Sequence, residues 1–232
     1  MTRSPDPLAA VRGAFVFSVL PPEAQAGLAG LAREEVYPEE SLLVRLGDTP
    51  DRLWFVCEGG VQLGLYRRDG RAMLLSPIVA GGWATWIACF NPGPLPHDLW
   101  TLPSTRLLAF PAEAVRHLAA THPAVYPRVI ERIGDRVRDL VRWSFAGGLA
   151  EPERRLAVLL AQICREHRPG HDGPHEISLT LERIGRMGIG SRQLVARSLA
   201  LLAAEGLVER RYGRVRVRSV RALDDYASAA TG

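Results

Sequence analysis

Residues 177–220 read ISLTLERIGRMGIGSRQLVARSLALLAAEGLVERRYGRVRVRSV, and the order of caps, apolar positions and glycines in this stretch decides the fold of the C-terminal part of the chain. Thr180 suits an N-cap, because its hydroxyl can accept from a first-turn amide that has no partner inside the helix. A short helix is predicted through about Met187, with Ile184 and Met187 turned inward and Gly185 permitting close helix approach. Gly188-Ile189-Gly190 reads as a tight turn, and Ser191 caps a second helix whose buried side is Leu194, Val195, Leu199, Leu201 and Leu202. Gly206 is the expected stop, since glycine takes the positive φ with which many helices end. Downstream, Leu207–Arg211, a turn at Tyr212-Gly213 and Val215-x-Val217 predict a hairpin. Strand alternation places Val215 and Val217 on one face and Arg214, Arg216 and Arg218 on the other.

Two helices joined by a tight turn and followed by a β-hairpin form the pattern of a winged helix-turn-helix. Ser191, Arg192, Gln193 and Arg197 fall on the first turns of its second helix. In such a motif these turns enter the DNA major groove, where Arg can bridge guanine O6 and N7 and Gln can bridge adenine N6 and N7. The arginine row of the wing suits backbone phosphates, a solvated charged face being the bland alternative. Between Ser178 and Arg221 there are ten Arg against three Glu, a local charge of +7 that exceeds the +4 of the whole chain, so the remainder is net acidic. That footprint matches phosphate neutralisation. All 29 basic residues are Arg, a bias that a GC-rich genome also produces, so it carries no functional weight.

Upstream, from Ser41 to about Phe110, short apolar or alternating runs separated by turn residues predict an antiparallel jelly-roll barrel. Leu42–Val44, Leu53–Val56 and Val61-x-Leu63-x-Leu65 read as strands, and Asp69-Gly70 within LYRRDGRAMLL reads as a hairpin turn. Pro92 to Pro103 contains four prolines and a glycine and is expected to be an unpaired loop over the barrel. A last strand and a short helix follow in STRLLAFPAEAVRHLAATHP.

Tyr126, Ile130, Ile133, Val137, Leu140 and Ser144 then recur in alternating steps of four and three, flanked by Val129, Val141 and Phe145. Pro127 falls in the first turn of this helix and Gly147-Gly148 is its expected end. A seam two side chains wide is narrower than the stripe of an ordinary globular helix and predicts pairing with a second copy, the alternative being packing on its own barrel. EPERRLAVLLAQICREH is a further amphipathic helix, and RPGHDGPHE is expected to be a loop. The fold class expected is α+β in three parts: a sensor barrel with flanking helices over 1–121, a dimerisation helix over 122–147 and a winged helix-turn-helix over 148–232.

The barrel segment GDTPDRLWFVCEGGVQLGLYRRDGRAMLL, the long helix, and LTLERIG…SRQLVARSLALLAAEGLV with its wing resemble the superfamily of the cyclic-AMP receptor protein and the fumarate–nitrate reduction regulator, over most of the chain. The resemblance implies a homodimeric transcription regulator that binds an inverted repeat in double-stranded DNA and has RNA polymerase as a partner. It puts Ser191, Arg192, Gln193 and Arg197 at the DNA-reading positions, with Gln193 where many members carry Glu. Glu accepts from cytosine whereas Gln suits adenine, so the half-site is expected to differ. The turn departs as well: relatives usually carry Gly where this chain has Ile189.

Cyclic-nucleotide binders of the superfamily hold the sugar and phosphate with a Gly-Glu pair and a later Arg followed by Ser or Thr. Here Thr85 or Trp86 stands in place of the Glu, and Leu95 or Pro96 in place of the Arg. A buried phosphate without a guanidinium would be left uncompensated, so control by cyclic AMP is not expected. Trp83, Trp86 and Phe90 are candidates for an apolar ligand pocket or, equally, for a filled core. The N-terminal cysteine cluster of oxygen-sensing members is absent, and Cys57, Cys89 and Cys164 are too few and too dispersed for a disulfide framework or a four-cysteine metal site. Cys164, His167, His171 and His175 have metal-like spacing, but the prolines and glycines among them favour an exposed loop, so neither metal nor cofactor is expected. His97 is a surface residue before it is a haem ligand.

With 47% apolar and 23% charged residues, no apolar run long enough to span a membrane and no secretory leader, the composition predicts a cytoplasmic protein without membrane partners. No catalytic set is visible. A cupin-like β-barrel enzyme would need several His and a Glu on neighbouring strands, and the barrel segment has His97 alone. That reading, and a signalling protein with an appended protein-contact domain, remain the alternatives.

Overall fold

The computed structural model describes residues 5–66, 72–167, 172–211 and 214–229. The chain divides into two compact units, one of Met1–Leu63 with Pro77–Arg136, the other of Gly64–Ser76 with Val137–Gly232.

The first unit opens with α1 (Pro7–Gly13), whose Asp6 carboxylate accepts from the amides of Leu8 at 2.9 Å and Ala9 at 3.2 Å. A 3-10 turn at Phe15–Phe17 and α2 (Pro22–Ala29) follow. Then come β1 (Arg33–Tyr37), β2 (Leu42–Val44), β3 (Arg52–Glu58), β4 (Gly60–Tyr66), β5 (Ala72–Leu74), β6 (Ile78–Val79), β7 (Trp83–Ala84), α3 (Trp86–Phe90), β8 (Asp98–Thr101), β9 (Thr105–Pro111), α4 (Ala112–Thr121) and α5 (Val125–Leu149), of which β5, the end of β4 and the second half of α5 fall in the second unit. One sheet has the order β1-β9-β3-β7, and the other runs β2-β8-β4-β5 with β6 also paired to β4. All pairings are antiparallel, giving a jelly-roll-like architecture.

The two central strands of the first sheet, β9 and β3, are apolar on both faces, and their period-2 alternation shows why. Trp54 and Val56 of β3 and Leu107 and Ala109 of β9 meet Val44, Val61 and Leu99 of the second sheet. Leu53, Phe55, Leu108 and Phe110, the residues between them, face α1, α2, α4 and the start of α5. Two cores therefore share one sheet.

Three expectations about this part are corrected. Asp98–Thr101 pairs with β2 (Leu42↔Trp100, Val44↔Leu99), although the stretch from Pro92 to Pro103 was expected to be a loop. The prolines lie outside the strand, and the run from His97 to Leu102 has every amide the ladder needs. The long helix passes through Gly147-Gly148 and ends at Leu149. Val129, read as a flank of the seam, is instead buried in the layer between sheet and helices. The turn at Asp69-Gly70 lies outside the described residues, but the strands on either side pair as a hairpin, Tyr66↔Ala72 to Gly64↔Leu74.

The second unit adds α6 (Pro152–His167), β10 (His175–Ile177), α7 (Leu181–Ile184), α8 (Arg192–Ala204), β11 (Val208–Arg211), β12 (Arg214–Val217) and α9 (Val220–Ser228) to the end of α5. Leu156, Leu159, Leu160 and Ile163 of α6 are fully buried, as their spacing requires. The wing has three strands in the order β10-β12-β11. Its third strand is formed by His175–Ile177, so the segment expected to be a loop ends as a strand, with His175 and Ile177 buried and Glu176 outward. The C-terminal α9 was not anticipated; Ser219 caps it by accepting from the Ala222 amide at 3.0 Å. Arg165 of α6 ties the unit together, 2.7 Å from the buried Asp139 of α5 and 2.9 Å from Asp224 of α9. Removing one partner of such a pair typically costs about 3–5 kcal/mol, because the other charge is left buried and unpaired.

Candidate nucleic-acid interface

The helix-turn-helix is built by caps and glycines. The Thr180 hydroxyl accepts from the Arg183 amide at 3.2 Å and starts α7, while the Ser191 hydroxyl accepts from Leu194 at 3.2 Å and starts α8. Between them the chain winds through Gly185–Ile189 in a wide turn, with Gly188 at φ 92° and Gly190 at φ 127°. Both angles are in the region that favours glycine, so the two glycines that flank Ile189 carry the bend. A Cβ on Gly185 would lie 2.2 Å from the Gly190 carbonyl oxygen; the close approach required here is by the turn's own backbone.

Ile184, Met187, Ile189, Val195, Leu199 and Leu202 are buried and hold the two helices together. Leu201, expected on the buried side, is 42% exposed, and Leu194 is only half-buried. A 13-residue helix covered along one stripe leaves Leu201 outside it. Arg192, Gln193 and Arg197 all reach solvent on the first turns of α8, with Ser191 at the cap.

On β12, Val215 and Val217 are buried and Arg214 and Arg216 point the other way, while Arg218, just past the strand, is exposed and lies 3.2 Å from Glu209. Three features of this unit were not visible in the sequence. Glu176 and Glu209 share the outer face of the wing with those arginines, and the Trp143 ring of α5 and the Arg155 guanidinium of α6 lie over Gly188, 3.2 and 4.0 Å from where a Cβ would be. Glu176 is held below the usual carboxylate range by the Arg214 hydrogen bond.

Along α5, Tyr126, Ile130, Val137, Leu140 and Ser144 are exposed, together with Val141 and Phe145. Ile133 departs from the seam, since it packs partly on the core between sheet and helices.

Trp83, Trp86 and Phe90 do come together, in the layer between the first sheet and the helices. Trp83 meets Phe17, Phe55 and Phe110 at centroid distances of 5.5, 5.0 and 5.2 Å; Trp86 lies 5.6 Å from Trp83 and 6.2 Å from Phe90, which abuts Tyr126 at 6.3 Å. Where the phosphate-holding pair would be, Thr85 sits at φ 73° and donates its hydroxyl to the Arg52 carbonyl at 2.6 Å, and Leu95 packs against the barrel core.

The cysteines are unsuited to thiolate chemistry near neutral pH, because burial pushes Cys57 up to about 11 and Cys89 and Cys164 up to about 12. Burial lowers the pKa of His97. Of the residues with metal-like spacing, Cys164 and His167 are on α6, His175 is buried on β10, and His171 lies outside the described residues. No group of three or more potential ligands is assembled among the described residues, and no described helix is long and apolar enough to cross a membrane.

Residues 34–122 match the cyclic nucleotide-binding domain family. The CRP-like cAMP-activated global transcriptional regulator of Mycobacterium tuberculosis is 24% identical over 197 residues, covering 84% of this chain and 88% of that protein. FixK2 of Bradyrhizobium japonicum shares the fold with a TM-score of 0.68 at 15% identity, over 84% of this chain and 96% of its own. A CooA mutant of Carboxydothermus hydrogenoformans does so with a TM-score of 0.60 at 20% identity, over 87% and 90%. Over residues 34–122 the chain is thus similar to cyclic nucleotide-binding domains, along most of its length to a CRP-like regulator, and in fold to FixK2.

Proposed function

We propose that the chain is a transcription regulator that binds DNA sequence-specifically as a homodimer, at an inverted repeat, without control by cyclic AMP. The observation that carries this reading is the exposure of Arg192, Gln193 and Arg197 on the first turns of α8, beside a wing whose outer face bears Arg214, Arg216 and Arg218. Arg can read a guanine edge and Gln an adenine edge bidentately, and the wing arginines supply sequence-independent attraction to phosphate. The face of α5 that includes Tyr126, Ile130, Val137, Leu140 and Ser144 supports pairing of two copies, and a two-fold axis there presents two recognition helices. The division into a sensor barrel over 1–121, a dimerisation helix over 122–147 and a DNA-binding domain over 148–232 belongs to this proposal, as do a cytoplasmic location and RNA polymerase as partner.

Gel shifts on matched and mismatched sites test the assignment. Arg192→Ala should lower affinity for the preferred site by roughly 1–3 kcal/mol and relax the preference at one base pair per half-site, leaving binding to random DNA unchanged. Unchanged base preference would remove α8 from the recognition role.

Independence from cyclic AMP is supported by the uses to which the degenerate positions are put: Thr85 bonds to Arg52, Trp86 joins the aromatic layer, and Leu95 packs on the barrel. None of the three offers a charge to a phosphate. Millimolar cyclic AMP or cyclic GMP should leave tryptophan emission and the thermal midpoint unchanged. Saturation at 100 times a dissociation constant would instead add about 2.7 kcal/mol of stability, and a saturable rise in midpoint with tighter DNA binding would contradict the reading.

A further inference from the structure

On the outer face of the wing, Arg216 of β12 stands opposite Glu176 of β10 on one side and Glu209 of β11 on the other. Glu209 is the hub. Its carboxylate lies 3.2 Å from the Arg218 guanidinium, 3.6 Å from that of Arg216 and 3.8 Å from that of Arg211. Glu176 takes Arg214 at 2.8 Å. Arg211 and Arg214 are themselves directly opposite, a like-charge pair that destabilises a sheet unless neighbouring charges offset it. The face thus carries four guanidiniums against two carboxylates, a net +2, and each of the four is within ion-pair distance of a carboxylate.

We propose that Glu209, assisted by Glu176, is a built-in counter-ion that the wing arginines must exchange for DNA phosphates, so that these two carboxylates set the strength and salt dependence of backbone binding. The inference rests on the DNA-binding reading and adds to it. In the free protein the carboxylates relieve repulsion among the guanidiniums and hold them in a row. When phosphates approach, the same two charges oppose them, and the gain from each new arginine–phosphate contact is reduced by the pair it replaces. The roles have opposite signs: Glu209 stabilises the free wing and weakens the complex. A carboxylate that only positioned the arginines would favour both.

Glu209→Gln keeps the side chain's size and removes its charge. DNA of any sequence should then bind more tightly, with the plot of log affinity against log salt steeper by about 0.9 per subunit, or about 1.8 for a dimer on two half-sites. The gain over wild type should accordingly shrink about 12-fold as salt rises from 50 to 200 mM. Without DNA the variant should melt below wild type at low salt, the gap closing as salt screens the arginines. Glu176→Gln, on a different strand, should act in the same direction. Affinity and slope equal to wild type, or weaker binding by both variants, overturns the proposal. A wild type that binds no DNA at any salt removes the DNA-binding reading and this proposal with it.

Discussion

Replacing Ile130 and Val137 together with Glu should give a monomer that is folded but binds its DNA site at least several hundred-fold more weakly. These two side chains are 69% and 51% exposed on α5, seven residues apart and hence on one face of the helix. Ile133, which shares the seam by spacing, packs partly on its own core, so changing it would confound folding with association. In the proposed dimer the two substitutions would bring four carboxylates to a two-fold axis. An unpaired charge transferred from water to an apolar interface costs several kcal/mol, and each 1.4 kcal/mol weakens association tenfold. Sedimentation at micromolar concentration should show the wild type as a dimer and the double variant as a monomer, with unchanged far-UV circular dichroism. A dimeric double variant would move the interface elsewhere.

Gly185→Ala should disable DNA binding and destabilise the second unit. The added Cβ would lie 2.2 Å from the Gly190 carbonyl oxygen, a contact between backbone and a methyl group that no rotamer change relieves. The turn must open, which displaces Ser191 from its cap and turns Arg192 and Gln193 away from their common direction. Overpacking of this kind costs about 1–3 kcal/mol, and misplacement of a recognition helix removes base contacts worth about 1–3 kcal/mol each in both half-sites. Gly27→Ala is the control, since a Cβ there meets nothing within 4 Å and alanine in a helix is favoured by roughly 0.5–1 kcal/mol. Denaturant midpoints and gel shifts of the two variants should therefore move in opposite directions or, for Gly27→Ala, leave DNA binding unaltered.

The helix-turn-helix was legible because its determinants are local: Thr180 and Ser191 cap within three residues, and the glycines that bend the chain flank the turn. The alternation in β3 and β9 was equally local. What escaped depends on partners distant in sequence. Asp98–Thr101 became a strand because β2 offers it a ladder, and His175–Ile177 because β12 does, at separations of about 40 residues or more. Ile133 belongs to the seam by spacing and Val129 flanks it, but the core between sheet and helices claims Val129 wholly and Ile133 in part. Glu176 and Glu209 look like solvated charges in sequence; only the strand register brings them to either side of Arg216. The aromatic residues Trp83, Trp86 and Phe90 were placed near one another by sequence, and the tertiary fold decided which layer they fill.

Selection of bound sequences from a random DNA pool, with purified protein and no added ligand, tests the central claim most directly. Two recognition helices related by a two-fold axis lie about one DNA turn, roughly 34 Å, apart, so the enriched sequences should be inverted repeats with half-site centres 10–10.5 base pairs apart. Specific bases in each half-site should lose enrichment with Arg192→Ala. Recovery of no sequence above background, at a salt concentration where the protein still retards DNA, would contradict the account.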